Sequence, residues 1–467
     1  MSRLFRLFAV IVLTSMAVSA QAAPPASVRL PDYTSTTLAN GATVLLMPRH
    51  DVPMIAASIM VRGGALADTA GKEGTASLLA DLLEKGAGDR NALQFAQTVD
   101  GAGGSLGVAS SRDAIVANAQ FLAKDSGLML TLLGDALLRP RLDPAEFDKL
   151  KQRAIDGIAS AKDGDARMLI RNYMNTWLFQ QHPYARPAEG DQTSLATIRL
   201  DDLKHFRSQQ MGGDRLIIAI VGDFDPAVVG KQVEATFGGW AKASGSLPQV
   251  STAPMQTGRR VLLVDKPGAT QTYFALANIG TRHGDPAEAA QNVVQTVFGG
   301  RFTSMINTAL RIKSGLSYGA SSMLERPRTA GAAAILSYTK TDSTQAAIDL
   351  AITTLDQLHK EPLPADAIGS AKQYIAGQFA PSLETAPQLA AELARMTLYG
   401  DTREQVDGYL GRVVAATPEQ VNAARAVFPT SANLAIVAIG DAANIRKLMQ
   451  AYGPVTEMKL SDPRYSP

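Results

Sequence analysis

Residues 215–223 read RLIIAIVGD and residues 433–441 read NLAIVAIGD. Each is a short apolar run closed by Gly-Asp, the pattern of a buried strand that ends in a turn. A second matching pair is TVLLMP at 43–48 and RVLLVD at 260–265. Both pairs are about 217 residues apart, close to half the chain, and landmarks repeating at one offset mark an internal duplication. The chain therefore reads as two copies of one α+β unit.

The elements between these landmarks follow from local chemistry. Asn40-Gly41 inside residues 37–48 is a hairpin signal, and IAASIMVR at 55–62 is a further strand closed by Gly63-Gly64. Helices are expected over 74–83 and 91–100, then two strands over 105–121 around residues 110–113. Asp143-Pro144-Ala145-Glu146 starts a helix that runs to about Ala161, because Asp caps, Pro fits the first turn and Glu suits the third position. Another helix is expected over 166–179, and the first half closes at Phe237-Gly238-Gly239-Trp240. Residues 241–258 are rich in Ser, Gly, Pro and Thr and lack periodicity, which reads as a mobile linker. The second half has capped starts at Asp285-Pro286 and Thr417-Pro418.

Composition bounds the function. The chain has 467 residues, 46% hydrophobic and 19% charged, enough for two cored domains. A net charge of +2 makes no case for nucleic acid or an acidic partner. The absence of cysteine removes every thiolate nucleophile or metal ligand. Arg3 and Arg6 precede the apolar run 7–18, which ends in Ser19-Ala20-Gln21-Ala22-Ala23. That is a signal peptide, with cleavage expected after Ala20 or Ala22. No other run approaches membrane-spanning length, so no membrane span is expected after cleavage.

Residues 298–320, FGGRFTSMINTALRIKSGLSYGA, carry the candidate chemistry. Phe302, Met305, Ile306, Ala309 and Leu310 fall at helical spacing, with Arg311 opposite that stripe. Gly315 reads as a helix stop, and Leu316 and Tyr318 as a strand-like restart. Taken alone, Arg311 could simply complement the helix dipole and Tyr318 simply pack.

The ordered landmarks narrow this. Arg62-Gly63-Gly64, Gly74-Thr75-Ala76, Glu84-Lys85-Gly86, His182-Pro183-Tyr184 with Glu189-Gly190, and Gly299-Gly300-Arg301-Phe302 with the run from Leu310 to Tyr318 resemble the pitrilysin–insulinase family of zinc peptidases over nearly the whole mature chain. The resemblance implies two homologous α/β-sandwich domains of the LuxS/processing-peptidase-like type. The expected division is a signal peptide at 1–22, a first domain at 23–240, the linker at 241–258 and a second domain at 259–460. The family signature H-x-x-E-H puts two imidazoles one turn apart on a zinc, with the intervening Glu as base. Here the matching positions read Ser77-Leu78-Leu79-Ala80-Asp81. Ser77, Ala80, Asp81 and Glu84 share the face opposite the leucine stripe, and Asp156 stands near the third-ligand position. Oxygen donors without imidazole are a poor zinc set, so no metal is expected on this chain.

In the family's two-lobed or two-subunit enzymes, the lobe opposite the zinc supplies an arginine and a tyrosine seven positions apart, and Arg311 and Tyr318 match that spacing. The resemblance implies a non-catalytic subunit binding peptide substrates through Arg311, Tyr318, Gly299 and Gly300. Zinc would sit on a homologous partner that carries H-x-x-E-H, and resemblance to bacterial members implies the periplasm. A nearby sheet edge could take the peptide as an added strand. The alternative is a structural or chaperone-like scaffold without catalytic role. An autonomous hydrolase with a reinvented site is the third reading.

Overall fold

The computed structural model describes residues 28–467; the segment expected to be a signal peptide, 1–22, lies outside the described residues. Two six-stranded sheets carry the fold. In the first, Thr43–Pro48 runs parallel to Leu216–Gly222, which is antiparallel to Met54–Arg62. Ala114–Leu122 and the edge strand Ser105–Ser110 follow, and Thr34–Thr37 closes the other edge as the expected hairpin, with Gly41 at a positive φ. The second sheet repeats the same five-strand order with Arg259–Asp265, Leu434–Gly440, Gln271–Ile279, Ala332–Lys340 and Ala320–Leu324. Its sixth strand differs: Val455–Lys459, from the C-terminal end of the chain, pairs parallel with Arg259–Asp265. The duplication is therefore visible as two homologous α/β sandwiches whose outermost strands have different origins.

One face of each sheet packs on helices of its own half. Helix Thr75–Leu83 buries Leu78, Leu79, Leu82 and Leu83 against the first sheet's core, which also takes helix Ser126–Leu138. The other face of each sheet is covered by a helix from the opposite half. Helix Ile170–Phe179, with Tyr173, Met174 and Leu178 at helical spacing, lies on Val264, Ala275, Val437 and Ile439 of the second sheet. Reciprocally, helix Ala386–Tyr399 sets Leu389, Ala390, Leu393 and Ala394 on Leu45, Met47, Ile217 and Val221 of the first. This exchange explains why Leu216–Gly222 and Leu434–Gly440 are buried at every residue, with apolar side chains on both faces.

Local signals placed most elements. Asp143 Oδ1 accepts from Ala145 N–H at 2.8 Å and starts Pro144–Asp163, and Thr417 and Gln420 form a reciprocal cap. Three expectations shift. Asp285 accepts from Ala287 N–H, but the helix begins at Glu288, so the aspartate ties the turn before it. The 241–258 segment, expected as a mobile linker, forms no helix or strand but is tied to the body of the protein at several points. Ala243 N–H donates to Asp214, Gln256 N–H donates to Asn278, and Ala253 is buried in the second sheet's exchanged core. The strand expected from Leu316 begins only at Ala320. Among the described residues no helix is long and apolar enough to cross a membrane.

Candidate functional site

Helix Thr75–Leu83 holds the positions where the family signature would lie. Ser77 is half-buried, Ala80 is fully buried and Asp81 is exposed, so Ala80 does not share an open face with its neighbours as its spacing suggested. Asp81 and Glu84 border a small cleft of about 220 Å³ with Lys85 and Arg153. Although Asp81 is exposed at its outer edge, the protein packed around its carboxyl partly strips it of water, and this, then the like charge of Glu84, raises its pKa above the usual aspartate value. Glu84 is already used, its Oε1 accepting Val108 N–H at 2.9 Å from the edge strand. Asp156 is exposed and accepts from Gln152 at 2.8 Å. Among the described residues no three His, Asp or Glu side chains converge as metal ligands. This set does not fit a catalytic zinc. It offers carboxylates beside a lysine and an arginine, with a buried methyl group where the base would stand.

The second-half residues come together. A cleft of about 750 Å³ is lined by Gly299, Gly300, Arg301, Phe302 and Arg311, by Ala320 and Ser321 at the start of strand Ala320–Leu324, and by Arg167, Met168 and Arg171 of the first half. The Arg311 guanidinium lies 4.9 Å from the Phe302 ring centre and 4.6 Å from that of Tyr318. Two aromatic faces thus hold the cation, an arrangement worth about 0.5–1 kcal/mol per ring at exposed sites. The contacts of the Arg311 side chain among the described residues are these two rings, with no hydrogen-bond or ion-pair partner, so its N–H donors are available.

Local winding creates this geometry. Only Met305–Asn307 is α-helical, and Thr308–Lys313 widens into a π-helix, with Ser314 N–H donating to Ala309 O at 3.2 Å. Such single wide turns occur preferentially at functional sites. Ile306 and Leu310 are buried as their spacing required. Phe302 is not part of the buried stripe: it precedes the helix, is 59% exposed and stacks on Arg311 instead. Asn307 Nδ2 donates to Phe302 O and its Oδ1 accepts Ala320 N–H, tying the unwound segment to the strand. Gly315, at φ 65°, ends the helix as expected, and Tyr318 emerges 74% exposed.

Gly299 and Gly300 line the cleft, but the close approach at Gly299 is to the protein itself. A Cβ there would run into the backbone and side chain of Ser322. Ser322 N–H donates to Gly299 O, and Ser322 O accepts from Gln295 Nε2. With Ala320 N–H held by Asn307, the outer edge of Ala320–Leu324 is largely satisfied. The nearby edge expected to accept a peptide strand is therefore closed here by the protein's own groups. Sequence reading missed Phe302 as a stacking residue and Arg167, Arg171, Tyr338 and Tyr374 as cleft residues. The paired arginines of RMLIR at 167–171, four positions apart beside a buried helix face, were the available signal.

The geometry defines a duplicated two-sheet shell with a cationic, aromatic cleft in one half and a helix unsuited to metal in the other. Two family models match: one described as "Insulinase (Peptidase family M16)" over residues 43–192, and one described as "Peptidase M16 inactive domain" over residues 197–375. Together they cover well over half of the chain, and the chain belongs to the M16 (insulinase) peptidase family. It is similar to an uncharacterized zinc protease of Streptomyces coelicolor, 24% identical over 412 residues, 86% of this chain and 88% of that one. The fold is shared with a crystal structure of a peptidase M16 inactive domain from Pseudomonas fluorescens (TM-score 0.81, 22% identity, 88% of this chain and 98% of that one). A protease from Helicobacter pylori shares it as well (TM-score 0.80, 20% identity, 88% and 100%).

Proposed function

We propose that this chain is the substrate-binding subunit of a heterodimeric zinc endopeptidase, lending Arg311 and Tyr318 to a site whose metal is carried by a homologous H-x-x-E-H chain. The observation that carries the reading is the Arg311 guanidinium, held between Phe302 and Tyr318 with its donors unused, while no metal-ligand cluster is found among the described residues. A structural arginine is ordinarily consumed by a carboxylate or a backbone carbonyl; this one is oriented and left free.

In this role Arg311 donates N–H bonds to a peptide carbonyl oxygen, and the Tyr318 hydroxyl donates to the same or the adjacent carbonyl. Stacking orients both groups before substrate arrives, so little ordering cost falls on the reaction. A donor aimed at developing negative charge contributes about 10²–10³ in kcat. Zinc would come with the partner. The reading includes export to the bacterial periplasm, supported by the charged, apolar and small-residue pattern of residues 1–23.

The test is reconstitution. Peptide hydrolysis is measured for this chain, for an H-x-x-E-H homologue from the same organism, and for their mixture. The reading expects activity to depend on mixing. A mixture no faster than the homologue alone counts against it and leaves a scaffold role.

A further inference from the structure

The walls of the Arg311 cleft carry an imbalance that substrate clamping alone does not require. Arg167, Arg171, Arg301 and Arg311 line it, and among the described residues no aspartate or glutamate does. The chain as a whole is close to neutral, with 45 basic and 43 acidic residues, so this local excess is not a by-product of composition. Of the four guanidiniums, only that of Arg167 has an ion-pair partner among the described residues. Arg167 pairs with Asp165 at 2.9 Å, where both side chains are about half exposed. Arg301 Nη1 donates to Ser370 Oγ at 2.8 Å, while its Nε is buried without a partner among the described residues. Arg171 and Arg311 have no ion-pair partner among the described residues.

The remaining wall is aromatic and apolar. Met168, Phe302 and Tyr374 are large apolar side chains left exposed, and all three line this cleft. Tyr273 and Tyr338 stand 5.9 Å apart on neighbouring strands, with the Arg167 guanidinium 5.5 Å from the Tyr338 ring. Like charges gathered in a concave surface repel one another, and unpaired Arg301 Nε is costly to bury. The repulsion is relieved by a ligand bearing carboxylates, whose planar geometry the guanidinium fork matches.

We infer that the cleft takes a peptide carboxylate, from an Asp or Glu side chain or a free C-terminus, beside a bulky apolar residue. The Arg167–Arg171–Arg301 wall thus selects acidic peptides for the Arg311–Tyr318 pair. The inference rests on the substrate-binding reading above and adds the class of peptide. Each arginine contributes roughly fivefold in affinity, the worth of a partly exposed ion pair, and the preference weakens as salt rises.

The test is isothermal titration calorimetry on the purified chain, at low salt and in about 0.5 M salt. The ligands are three C-terminally amidated peptides sharing one Phe-Leu anchor and differing only in Glu-Glu, Gln-Gln or Lys-Lys, and the Gln-Gln peptide as a free acid. The expected result is a Kd at least about tenfold lower for a carboxylate-bearing peptide than for the amidated Gln-Gln peptide. Whether Glu-Glu or the free acid gains the advantage identifies its source. In Arg171→Gln/Arg301→Gln that advantage disappears, while the amidated Gln-Gln peptide binds as before. This last readout also shows that the variant is folded. Equal affinity for Glu-Glu, free-acid Gln-Gln and amidated Gln-Gln peptides overturns the inference and leaves the substrate-binding reading standing. Failure to bind any peptide overturns both. A single-stranded oligonucleotide that displaces the Glu-Glu peptide at equal charge concentration makes the cleft a general polyanion surface, which also overturns the inference.

Discussion

The guanidinium of Arg311 stands 4.6 Å from the ring centre of Tyr318, although a helix end and the left-handed Gly315 separate the two residues in the chain. Each positions the other, so substitutions at the pair should not be interchangeable. Tyr318→Phe keeps the aromatic face and removes only the hydroxyl. Tyr318→Ala also removes one wall of the arginine's slot.

In a reconstituted complex, Tyr318→Phe should therefore lower kcat by about a hundredfold, the lower end of the effect of one donor, and Tyr318→Ala by more. Phe302→Ala removes the opposite wall without touching either donor and should cost only a few-fold, about 0.5–1 kcal/mol. Steady-state kinetics on the three variants checks this order. No loss for Tyr318→Phe beside a clear loss for Phe302→Ala would mean that stacking, not hydrogen bonding, is what matters.

Gly299→Ala tests a different property. Its Cβ would meet Ser322, which already holds Gly299 O and Gln295. Overpacking of this kind destabilises by about 1–3 kcal/mol. The expected outcome is a lower Tm, read by calorimetry, with peptide affinity falling only as far as the strand edge moves.

The exchanged helices make the halves interdependent. Leu393 is fully buried where helix Ala386–Tyr399 covers the first-half sheet. Leu393→Ala should cost about 2–5 kcal/mol. Unfolding should remain a single calorimetric transition, because neither sheet keeps its covered face without the other half. Two separate transitions, with only one moved by Leu393→Ala, would contradict this coupling.

Asp68 sets a pH dependence. Its carboxylate is buried and accepts N–H bonds from Gly74 at 2.8 Å and Ala76 at 2.9 Å, at the start of helix Thr75–Leu83. Burial outweighs those bonds and pushes its pKa up to about 7, from an ordinary 3.8. The folded state therefore holds this proton more tightly than the unfolded chain. The resulting stability is fully present below pH 3.8 and is lost as pH rises through about 7, by at most about 4 kcal/mol. In Asp68→Asn the difference in Tm from the wild type should change across that window and level off above it. A constant difference from pH 4 to 8 would show that the carboxyl does not titrate there.

What could be read beforehand divides along physical lines. Strand landmarks at one offset revealed the duplication, because buried strands repeat apolar runs regardless of what covers them. Asp143-Pro144 and Thr417-Pro418 placed helix starts, because capping is local. The run LIIAIVG showed that both faces of Leu216–Gly222 are buried, but not that Leu389 and Leu393 of the other half bury one of them. Phe302 was misassigned because 100° per residue assumes an α-helix throughout, whereas Thr308–Lys313 is wound wider and Phe302 lies before the helix begins. The cationic cleft joins residues 167–171 to residues 301–311 across the two halves, a juxtaposition that no local pattern encodes.

The central claim is that this chain contributes donors to a site whose metal lies on another chain. The most direct measurement is the peptide-hydrolysis rate of the reconstituted pair carrying Arg311→Ala/Tyr318→Phe, with complex formation followed by sedimentation in the same samples. The account predicts an intact heterodimer whose kcat is lower by about a hundredfold or more. A double variant as active as the wild-type pair, or zinc-dependent hydrolysis by this chain alone, would contradict it.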